Sequence, residues 1–255
     1  MSPGDLAGRC VVVTGAGGGV GRGVALACGS AGAHVVVASP GENGIETVAL
    51  VTGRGGTGEW VRTDVTRRGD VEAAVAAALK RTGRLDAMVH NATSRRSSEP
   101  AQLADLDPAV WEEHVAVSLR GAFYCAQTAL PHLRVHGGRL VMFTSPAGMD
   151  GSAMLPAYGI VKAAIRGLTK SLACEWGPLG VTVAAVSPLA ETPAMTNAYE
   201  QDPALEARLA ARIPMGRIGD PASDVGPVVA FLIGDGARYI TGQTIVVDGG
   251  RFTGL

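Results

Sequence analysis

The chain has 255 residues, of which 47% are hydrophobic and 18% are charged, and its formal net charge is −1. This length and apolar content predict one large α/β domain rather than two small ones. The near-zero charge excludes the global field that recruits nucleic acid or an anionic membrane, and no apolar run reaches the ~18 residues of a membrane span.

Short apolar runs alternate with helical patterns along the chain. The apolar runs lack strict polar alternation, which is typical of strands buried on both faces of a parallel sheet. The β-α-β rhythm predicts a single-domain, Rossmann-type, doubly wound parallel α/β sheet of about seven strands with helices on both faces, spanning residues 1–255. The predicted strands are Cys10–Val13, His34–Ala38, Glu59–Arg62, Leu85–His90, Arg139–Thr144, Val181–Val186 and Thr244–Val247. The predicted helices are Gly21–Ala31, Ile45–Thr52, Asp70–Thr82, Pro108–Val135, Pro156–Trp176 and Pro221–Ile233.

The first predicted strand leads into a glycine-rich segment, Thr14 to Gly21, that opens the first helix. A glycine-rich match alone is weak support, but a position between a strand and a helix is the context that a dinucleotide phosphate site requires. Gly15 and Gly19 permit the tight turn, Gly21 permits close packing of the helix, and the helix N-terminus faces the pyrophosphate. The segment therefore predicts a dinucleotide site rather than a turn without a ligand.

Three polar residues in the middle of the chain have a spacing that suits proton transfer. Tyr158 and Lys162 are four residues apart, so they lie on one face of a helix, and Ser145 precedes the tyrosine by thirteen residues. A tyrosine pKa of about 10 must fall by roughly 3 units for work near neutrality, and a nearby ammonium favours the phenolate. Lys162 is expected to supply that charge. Each residue has an ordinary structural interpretation, but the joint spacing favours the chemical one.

Residues 189–219 interrupt the alternation of strands and helices. This segment is rich in Ala, Glu and Met, contains a helical piece at Pro203–Arg212 and follows the carboxyl end of the sixth predicted strand. Ligands of open α/β sheets bind at this edge, so the segment is predicted to be a substrate lid, with a surface excursion as the alternative.

The cysteines and histidines predict neither disulfides nor a metal site. Four cysteines lie far apart in apolar segments without a Cys-x-x-Cys motif, as expected of reduced core thiols in a cytoplasmic protein. His132 and His136 have metal-ligand spacing but precede two glycines at a predicted helix end, where solvated side chains are expected. The first nine residues lack the basic start and apolar core of a signal peptide.

The order and spacing of these motifs resemble those of the short-chain dehydrogenase/reductase family over essentially the whole chain. The family's Thr-Gly-x-x-x-Gly-x-Gly is matched by the segment from Thr14 to Gly21. The catalytic serine and Tyr-x-x-x-Lys of the family are matched by Ser145, Tyr158 and Lys162. Further matches are Asp64 for an adenine-contacting aspartate, His90-Asn91-Ala92-Thr93 for Asn-Asn-Ala-Gly, and Tyr239 to Gln243 followed by Val247 to Gly250 near the end.

The resemblance implies an NAD(P)-dependent oxidoreductase that transfers a hydride between a nicotinamide cofactor and a ketone or secondary alcohol. It implies that Tyr158 is the general acid/base and that Ser145 holds the substrate oxygen by a hydrogen bond. Lys162 would bind the nicotinamide ribose, and Ser118 stands where the family has a catalytic asparagine that holds a water in a proton relay. The implied cofactor-binding residues are Thr14, Gly15, Gly17, Gly18, Gly19, Val20, Gly21, Ser39, Asp64, Val65, Asn91, Ala92, Thr93, Tyr158, Lys162, Pro188 and Thr192.

Three departures from the family pattern lie near the nicotinamide half of the implied site. Ser118 replaces asparagine, Thr93 replaces the last glycine of Asn-Asn-Ala-Gly, and Leu189 replaces a glycine after Pro188, where the segment up to Thr192 is one residue shorter. Serine offers a hydroxyl in place of an amide, and threonine narrows the backbone approach beside the cofactor. These departures predict either a site retuned for an unusual substrate or one of reduced activity.

The end of the second predicted strand bears on the choice of cofactor. A carboxylate there would bond both ribose hydroxyls and repel a 2′-phosphate, but the chain has Ser39-Pro40. Gly18 stands where phosphate-selective relatives often carry a basic residue. Ser39 suits either cofactor, and the missing carboxylate favours NADP modestly over NAD.

Two classes of function remain open at this point. The first is an oxidoreductase of a small or medium apolar substrate, such as a 3-oxoacyl, steroid or polyol compound, and Arg95-Arg96 would attract an acyl-carrier phosphate. The second is a dinucleotide-binding protein of low activity that acts as a sensor or structural partner. The resemblance also implies a homodimer or homotetramer, because the helices Pro108–Val135 and Pro156–Trp176 match those that pack across two-fold axes in relatives.

Overall fold

One parallel sheet of seven strands organises the part of the chain that the computed structural model describes, which is residues 5–192, 195–196, 199–200, 202 and 204–253. Its order, β3-β2-β1-β4-β5-β6-β7, confirms the predicted doubly wound α/β fold. The strands are β1 Cys10–Thr14, β2 His34–Ser39, β3 Thr57–Arg62, β4 Ala87–His90, β5 Arg139–Phe143, β6 Thr182–Pro188 and β7 Thr244–Val247.

Helices cover both faces of the sheet. Alternate residues of β1 explain why, because Val11 and Val13 belong to one apolar core with helix residues such as Val24, whereas Val12 belongs to the other with Ala126. Every residue of β1, β2, β4 and β5 is buried, which accounts for the continuous apolar runs in the sequence. The helices are α1 Gly19–Ser30, α2 Asn43–Gly53, α3 Arg68–Thr82, α4 Pro108–His114, α5 Gly121–His136, α6 Pro156–Trp176, α7 Ala204–Ala210 and α8 Gly226–Ile233.

The predicted helix Pro108–Val135 differs from the structure in its middle. A π-helical turn, Val115–Arg120, joins α4 to α5, and a second one, Pro221–Val225, precedes α8. Such turns interrupt the regular hydrogen-bond pattern and recur at functional sites. Residue periodicity does not predict them, because a single extra residue in one turn leaves the apolar pattern on either side intact.

The segment 189–219 leaves the sheet and returns to it beside β6. Ala190 and Gly219 form a parallel bridge at its base, and the Gly219 N–H donates to the Leu189 carbonyl at 3.2 Å. The helical piece predicted at Pro203–Arg212 is observed as α7, although Pro203 itself lies outside the described residues. None of the described helices is long and apolar enough to cross a membrane.

Candidate active site

A cavity of about 820 Å³ opens where β1, β4, β5 and β6 end at their carboxyl edge. The strand order reverses between β1 and β4, and crevices at such a reversal are the usual ligand sites of open α/β sheets. Most of the predicted cofactor-binding and catalytic residues line this cavity, namely Gly15, Gly18, Gly19, Val20, Asp64, Val65, Asn91, Ala92, Thr93, Ser145, Tyr158, Lys162, Pro188 and Thr192.

The glycine-rich turn fits the pyrophosphate of a dinucleotide. Gly15 has a φ of +65°, and a Cβ there would lie 2.8 Å from the Ala92 Cα, so only glycine fits. Gly18, the N-cap of α1, provides no side-chain cap, and the first turn carries no acidic residue. The N–H groups of that turn therefore remain free to bind an anion at the positive end of the helix dipole.

Three residues of the predicted phosphate motif shape the turn without lining the cavity. The buried Thr14 hydroxyl accepts from the backbone N–H groups of Asn91 and Ala92, at 3.2 and 3.3 Å. A Cβ at Gly21 would lie 2.4 Å from the Gly15 carbonyl oxygen, and one at Gly17 would meet the side chain of Asn43 at 2.4 Å. Thr14, Gly17 and Gly21 thus act through packing and backbone hydrogen bonds.

Ser39 is not among the residues that line the cavity, although the resemblance implies that it contacts the cofactor. Its hydroxyl donates to the Gly41 carbonyl and accepts from the Trp60 indole N–H, both at 3.0 Å, and the residue is 2% exposed. Register explains the difference, because Ser39 pairs with Arg62 on β3 and Trp60 lies two residues before that arginine. The adjacent Pro40 lines the cavity instead.

Ser145, Tyr158 and Lys162 come together from two elements. Ser145 follows β5 and caps a short 3₁₀ turn by accepting from the Ala147 N–H at 3.3 Å. Tyr158 and Lys162 lie one turn apart on α6, and the Lys162 Nζ is 5.5 Å from the centroid of the Tyr158 ring. The Lys162 Nζ also donates to the Phe143 carbonyl at 3.0 Å, which fixes the ammonium beside the end of β5.

Burial dominates the electrostatics of this trio. It lowers the pKa of Lys162 to about 8. It also raises the pKa of Tyr158, and the hydrogen bond from Ser145 opposes that rise. The expected lowering of the tyrosine pKa by Lys162 is therefore not what this structure gives, because desolvation of the phenolate outweighs the other influences.

Comparison with known proteins decides the family. A model described as enoyl-(acyl carrier protein) reductase matches residues 15–251. A cis-4-hydroxycyclohexanecarboxylate dehydrogenase of Sinomonas cyclohexanicum is 35% identical, over 95% of this chain and 96% of the relative. The chain belongs to the short-chain dehydrogenase/reductase family. It is an NAD(P)-dependent oxidoreductase that acts on CH–OH or C=O groups.

Solved structures agree with this assignment. A putative short-chain alcohol dehydrogenase from Sinorhizobium meliloti 1021 superposes with a TM-score of 0.89 and 35% identity, and 98% of each chain is covered. The 3-ketoacyl-(acyl-carrier-protein) reductase of Brucella melitensis, solved in complex with NADH, has a TM-score of 0.86 and 30% identity, with 96% of this chain and 99% of that chain covered. These likenesses support a nicotinamide cofactor.

Ser118, the departure at the family's asparagine position, does not line the cavity but contacts Thr93, which does. Ser118 is buried in the π-helical turn, and its Oγ lies 3.2 Å from the Thr93 Oγ1. The Ser118 carbonyl accepts from the His90 Nε2 at 3.0 Å. Two of the departures, Ser118 and Thr93, are therefore in direct contact.

Several cavity residues had no motif to reveal them. They lie on loops that follow the strands or on the helical segments around the π-turn, positions where apolar periodicity gives no information about the direction of a side chain. They are Ser97, Ser98, Glu113, Val117, Leu155 and Met195.

A second, smaller cavity of about 400 Å³ adjoins the first one. Pro40 and Asp64 line both cavities, and Arg62, Arg67 and Asp70 line only the smaller one. The Asp64 carboxylate accepts from the backbone N–H and hydroxyl of the residue two positions on, at 3.0 and 2.7 Å. No cluster of three or more potential metal ligands occurs within the described residues.

Proposed function

We propose that this enzyme interconverts a ketone and a secondary alcohol on a small or medium-sized substrate that carries a carboxylate. The observation that carries the chemistry is the convergence of Ser145, Tyr158 and Lys162 on one cavity beside the glycine-rich turn. The nicotinamide cofactor, when bound, supplies or accepts the hydride. Tyr158 then gives its phenol proton to the carbonyl oxygen, or takes one from the alcohol.

The other two residues support that proton transfer. Ser145 donates a hydrogen bond to the substrate oxygen, which stabilises the negative charge that develops there. Lys162 binds the ribose hydroxyls of the cofactor with the ammonium protons that Phe143 does not take. Its position one helical turn from Tyr158 also favours the phenolate once the cofactor completes the site.

Residues that line the cavity support the proposal of a substrate with a carboxylate. Val117, Leu155 and Leu189 provide an apolar lining, and Arg95 is the guanidinium among the described lining residues. Arg96 forms an ion pair with Glu99 at 2.7 Å, whereas no hydrogen bond or ion pair is observed for Arg95 within the described part of the chain. A planar guanidinium matches a carboxylate by two parallel hydrogen bonds.

The Sinomonas relative points to the same class of substrate, since its name denotes a ring with a secondary alcohol and a carboxylate. A 3-oxoacyl chain, as in the Brucella reductase, is the main alternative, and a steroid or polyol is less well matched to a charged lining. Arg95 would in the acyl case attract a phosphate of the carrier. The experiment must therefore compare free cyclic hydroxy acids with acyl thioesters.

The test is kinetic. Wild-type protein is assayed with both cofactors on cis- and trans-4-hydroxycyclohexanecarboxylate, their methyl esters, and a 3-oxoacyl thioester. We expect the free acids to be preferred, and Arg95→Gln to raise their KM about tenfold or more while leaving the esters unchanged. Arg96→Gln, whose side chain is held by Glu99, is the matched control. Equal kcat/KM for acid and ester would exclude the carboxylate.

We also propose a modest preference for NADP. The absence of a carboxylate after β2 supports this preference. The Ser39 hydroxyl is already hydrogen-bonded to the Trp60 indole, so the basic residues beside the smaller cavity are the better candidates for a 2′-phosphate contact. Arg62 is exposed and pairs across the sheet with Ser39. Arg62→Gln should lower kcat/KM about tenfold for NADP and leave NAD unchanged. Equal losses for both cofactors would reject Arg62 as the discriminating residue.

The low-activity alternative rests on a specific observation. Ser118 stands at the family's relay position, and its carbonyl is already hydrogen-bonded to His90. If this arrangement blocks proton release, the protein would bind cofactor without significant turnover and act as a sensor or structural partner. Tight cofactor binding with no turnover on the whole substrate panel would favour this second function.

Three further proposals concern the setting of the enzyme. The exposed Phe123 on α5 and Ile160 on α6 support association through these helices into a homodimer or homotetramer, which light scattering would test.

We also propose that residues 189–219 form a substrate lid, because Leu189 and Met195 line the cavity. Four free cysteines, with Cys174 exposed, fit a reducing cytoplasmic location.

A further inference from the structure

His90 occupies an unusual position for an imidazole, at the end of the central strand β4 and 2% exposed. Its Nε2 lies 3.0 Å from the Ser118 carbonyl oxygen. Its Nδ1 lies 3.2 Å from the Thr14 Oγ1 and 3.5 Å from the Cys125 Sγ. One side chain therefore joins the glycine-rich turn, α5 and the π-helical turn.

The partners define the tautomer of this ring. A carbonyl oxygen only accepts hydrogen bonds, so Nε2 carries a proton. Burial and the nearby Lys162 lower the pKa of His90 to about 3, which leaves Nδ1 unprotonated. Burial raises the pKa of Cys125 to about 12, so that residue faces the ring as a neutral thiol. Nδ1 then accepts from the Thr14 hydroxyl or the Cys125 thiol.

The packing around the ring is also specific. A Cβ at position 121 would lie 3.2 Å from the His90 Cε1, closer than is usual, so Gly121 leaves the space that the imidazole fills. Gly121 begins α5 directly after the π-helical turn that contains Ser118. The ring therefore packs against the backbone of Gly121, where the π-helical turn ends and the regular α-helix begins.

The path continues from Ser118 to the cavity. The Ser118 Oγ and the Thr93 Oγ1 are 3.2 Å apart, and Thr93 lines the cavity. Three of the residues on this path, His90, Thr93 and Ser118, stand at positions where the family pattern has Asn, Gly and Asn. Because His90 contacts Ser118 and Ser118 contacts Thr93, the effects of substitutions at these three positions are expected to be coupled rather than independent.

We propose that His90 is a positioning residue that holds the Ser118 carbonyl and, through Ser118, the Thr93 hydroxyl at the nicotinamide side of the cavity. His90, Ser118 and Thr93 then form one interlocked set that takes the place of the family's asparagines. The set tunes the rate of the proton-coupled step. His90 itself contacts neither the substrate nor the cofactor. This inference rests on the proposed function, because the rate is read on a ketone or alcohol substrate.

Two amide substitutions separate the two ends of the ring. His90→Gln keeps a donor near the position of Nε2 and can reach the Ser118 carbonyl, whereas His90→Asn keeps polar atoms only near the position of Nδ1. We expect His90→Asn to lower kcat about tenfold with the KM of substrate and cofactor changed less than about threefold. His90→Gln should retain kcat within about threefold of the wild type.

The double variant His90→Asn/Ser118→Asn tests the interlocking. It places an asparagine at both positions, as in the family, and should recover most of the kcat that either single variant loses. A double variant whose loss equals the product of the two single losses would overturn the proposal. Equal losses of kcat in His90→Asn and His90→Gln would also overturn it, because a purely structural role does not depend on the donor at Nε2.

Nitrogen NMR of the wild-type protein provides a test that needs neither a variant nor turnover. The His90 ring should show the neutral Nε2–H tautomer between about pH 6 and 8. An Nδ1–H tautomer or an imidazolium in that range would refute the assigned donor. If the wild-type enzyme turns over no substrate on the panel, the proposed function fails, and the NMR result alone then decides whether His90 holds Ser118.

Discussion

The two ends of the cavity are built in different ways. At the phosphate end, backbone contacts define the wall: Gly15 lies too close to Ala92 for a side chain, and Gly21 too close to Gly15. At the end that holds Ser145, Tyr158 and Lys162, the proposed nicotinamide end, side chains define the wall. Thr93 contacts Ser118 there, and Lys162 donates to a carbonyl oxygen. The first end leaves no room for a side chain at Gly15 or Gly21, whereas the second departs from the family pattern at several positions while keeping the acid/base trio.

The largest effect is expected at the acid/base residue of the nicotinamide end. Tyr158→Phe removes one hydroxyl, and the carbonyl oxygen then has no proton donor, so kcat should fall by about 100-fold or more. Cofactor Kd should stay within about threefold, since Lys162 and the glycine-rich turn are untouched. Stopped-flow or steady-state assays with a fluorescence titration of the cofactor give both values. More than about a tenth of the wild-type kcat would remove Tyr158 from this role.

At the phosphate end the corresponding change should act on folding. Gly15→Ala puts a Cβ 2.8 Å from the Ala92 Cα at a φ of +65°. The free energy of unfolding should fall by about 2–4 kcal/mol, from strain and overpacking together. Gly18→Ala is the matched control, because a Cβ there meets nothing within 4 Å, and its stability should change by less than about 1 kcal/mol. Equal stability losses in urea denaturation would contradict this account of the wall.

The same contrast explains what the sequence predicted. The doubly wound parallel sheet depends on residue type and spacing, such as the continuous valines in β1, and it was predicted correctly. The glycine-rich turn depends on them in the same way, since Gly15 and Gly19 stand where φ is positive. Ser39 and Ser118 depend on partners more than twenty residues away, Trp60 and His90. Local patterns contain no information about such partners, because strand register and the π-helical turn bring them together.

Ser39→Asp tests whether the side chain at position 39 contacts only its buried neighbours or also the cofactor. The carboxylate would lose the donor that the serine hydroxyl gives to Gly41 and would enter a site that is 2% exposed. We expect a loss of about 1–3 kcal/mol in stability and little change in the ratio of kcat/KM for NADP and NAD. Thermal unfolding and kinetics with both cofactors measure the two effects. A strong switch to NAD at unchanged Tm would show that residue 39 reaches the ribose.

The smallest effect concerns the free-energy cost of burying the charged Lys162. The pKa of Lys162 is about 8 in the folded chain, below its ordinary 10.5, so the unfolded chain binds more protons between these values. Stability therefore rises with pH across that window, and the penalty is complete below about pH 8. Lys162→Met removes the penalty but leaves the Phe143 carbonyl without its donor.

The net result should be a cofactor-free variant about 1–2 kcal/mol more stable than the wild type at pH 7, and inactive. The difference should narrow as the pH rises from about 8 to about 10.5, since the folded wild type then no longer has to bury a charged lysine. Urea denaturation at several pH values measures this, and Lys170→Met, on the exposed face of the same helix, is the control that should change little. A variant less stable than the wild type at pH 7 would mean that the bond to Phe143 outweighs the desolvation of the ammonium. The nicotinamide end would then be held together by the same residue that its chemistry requires.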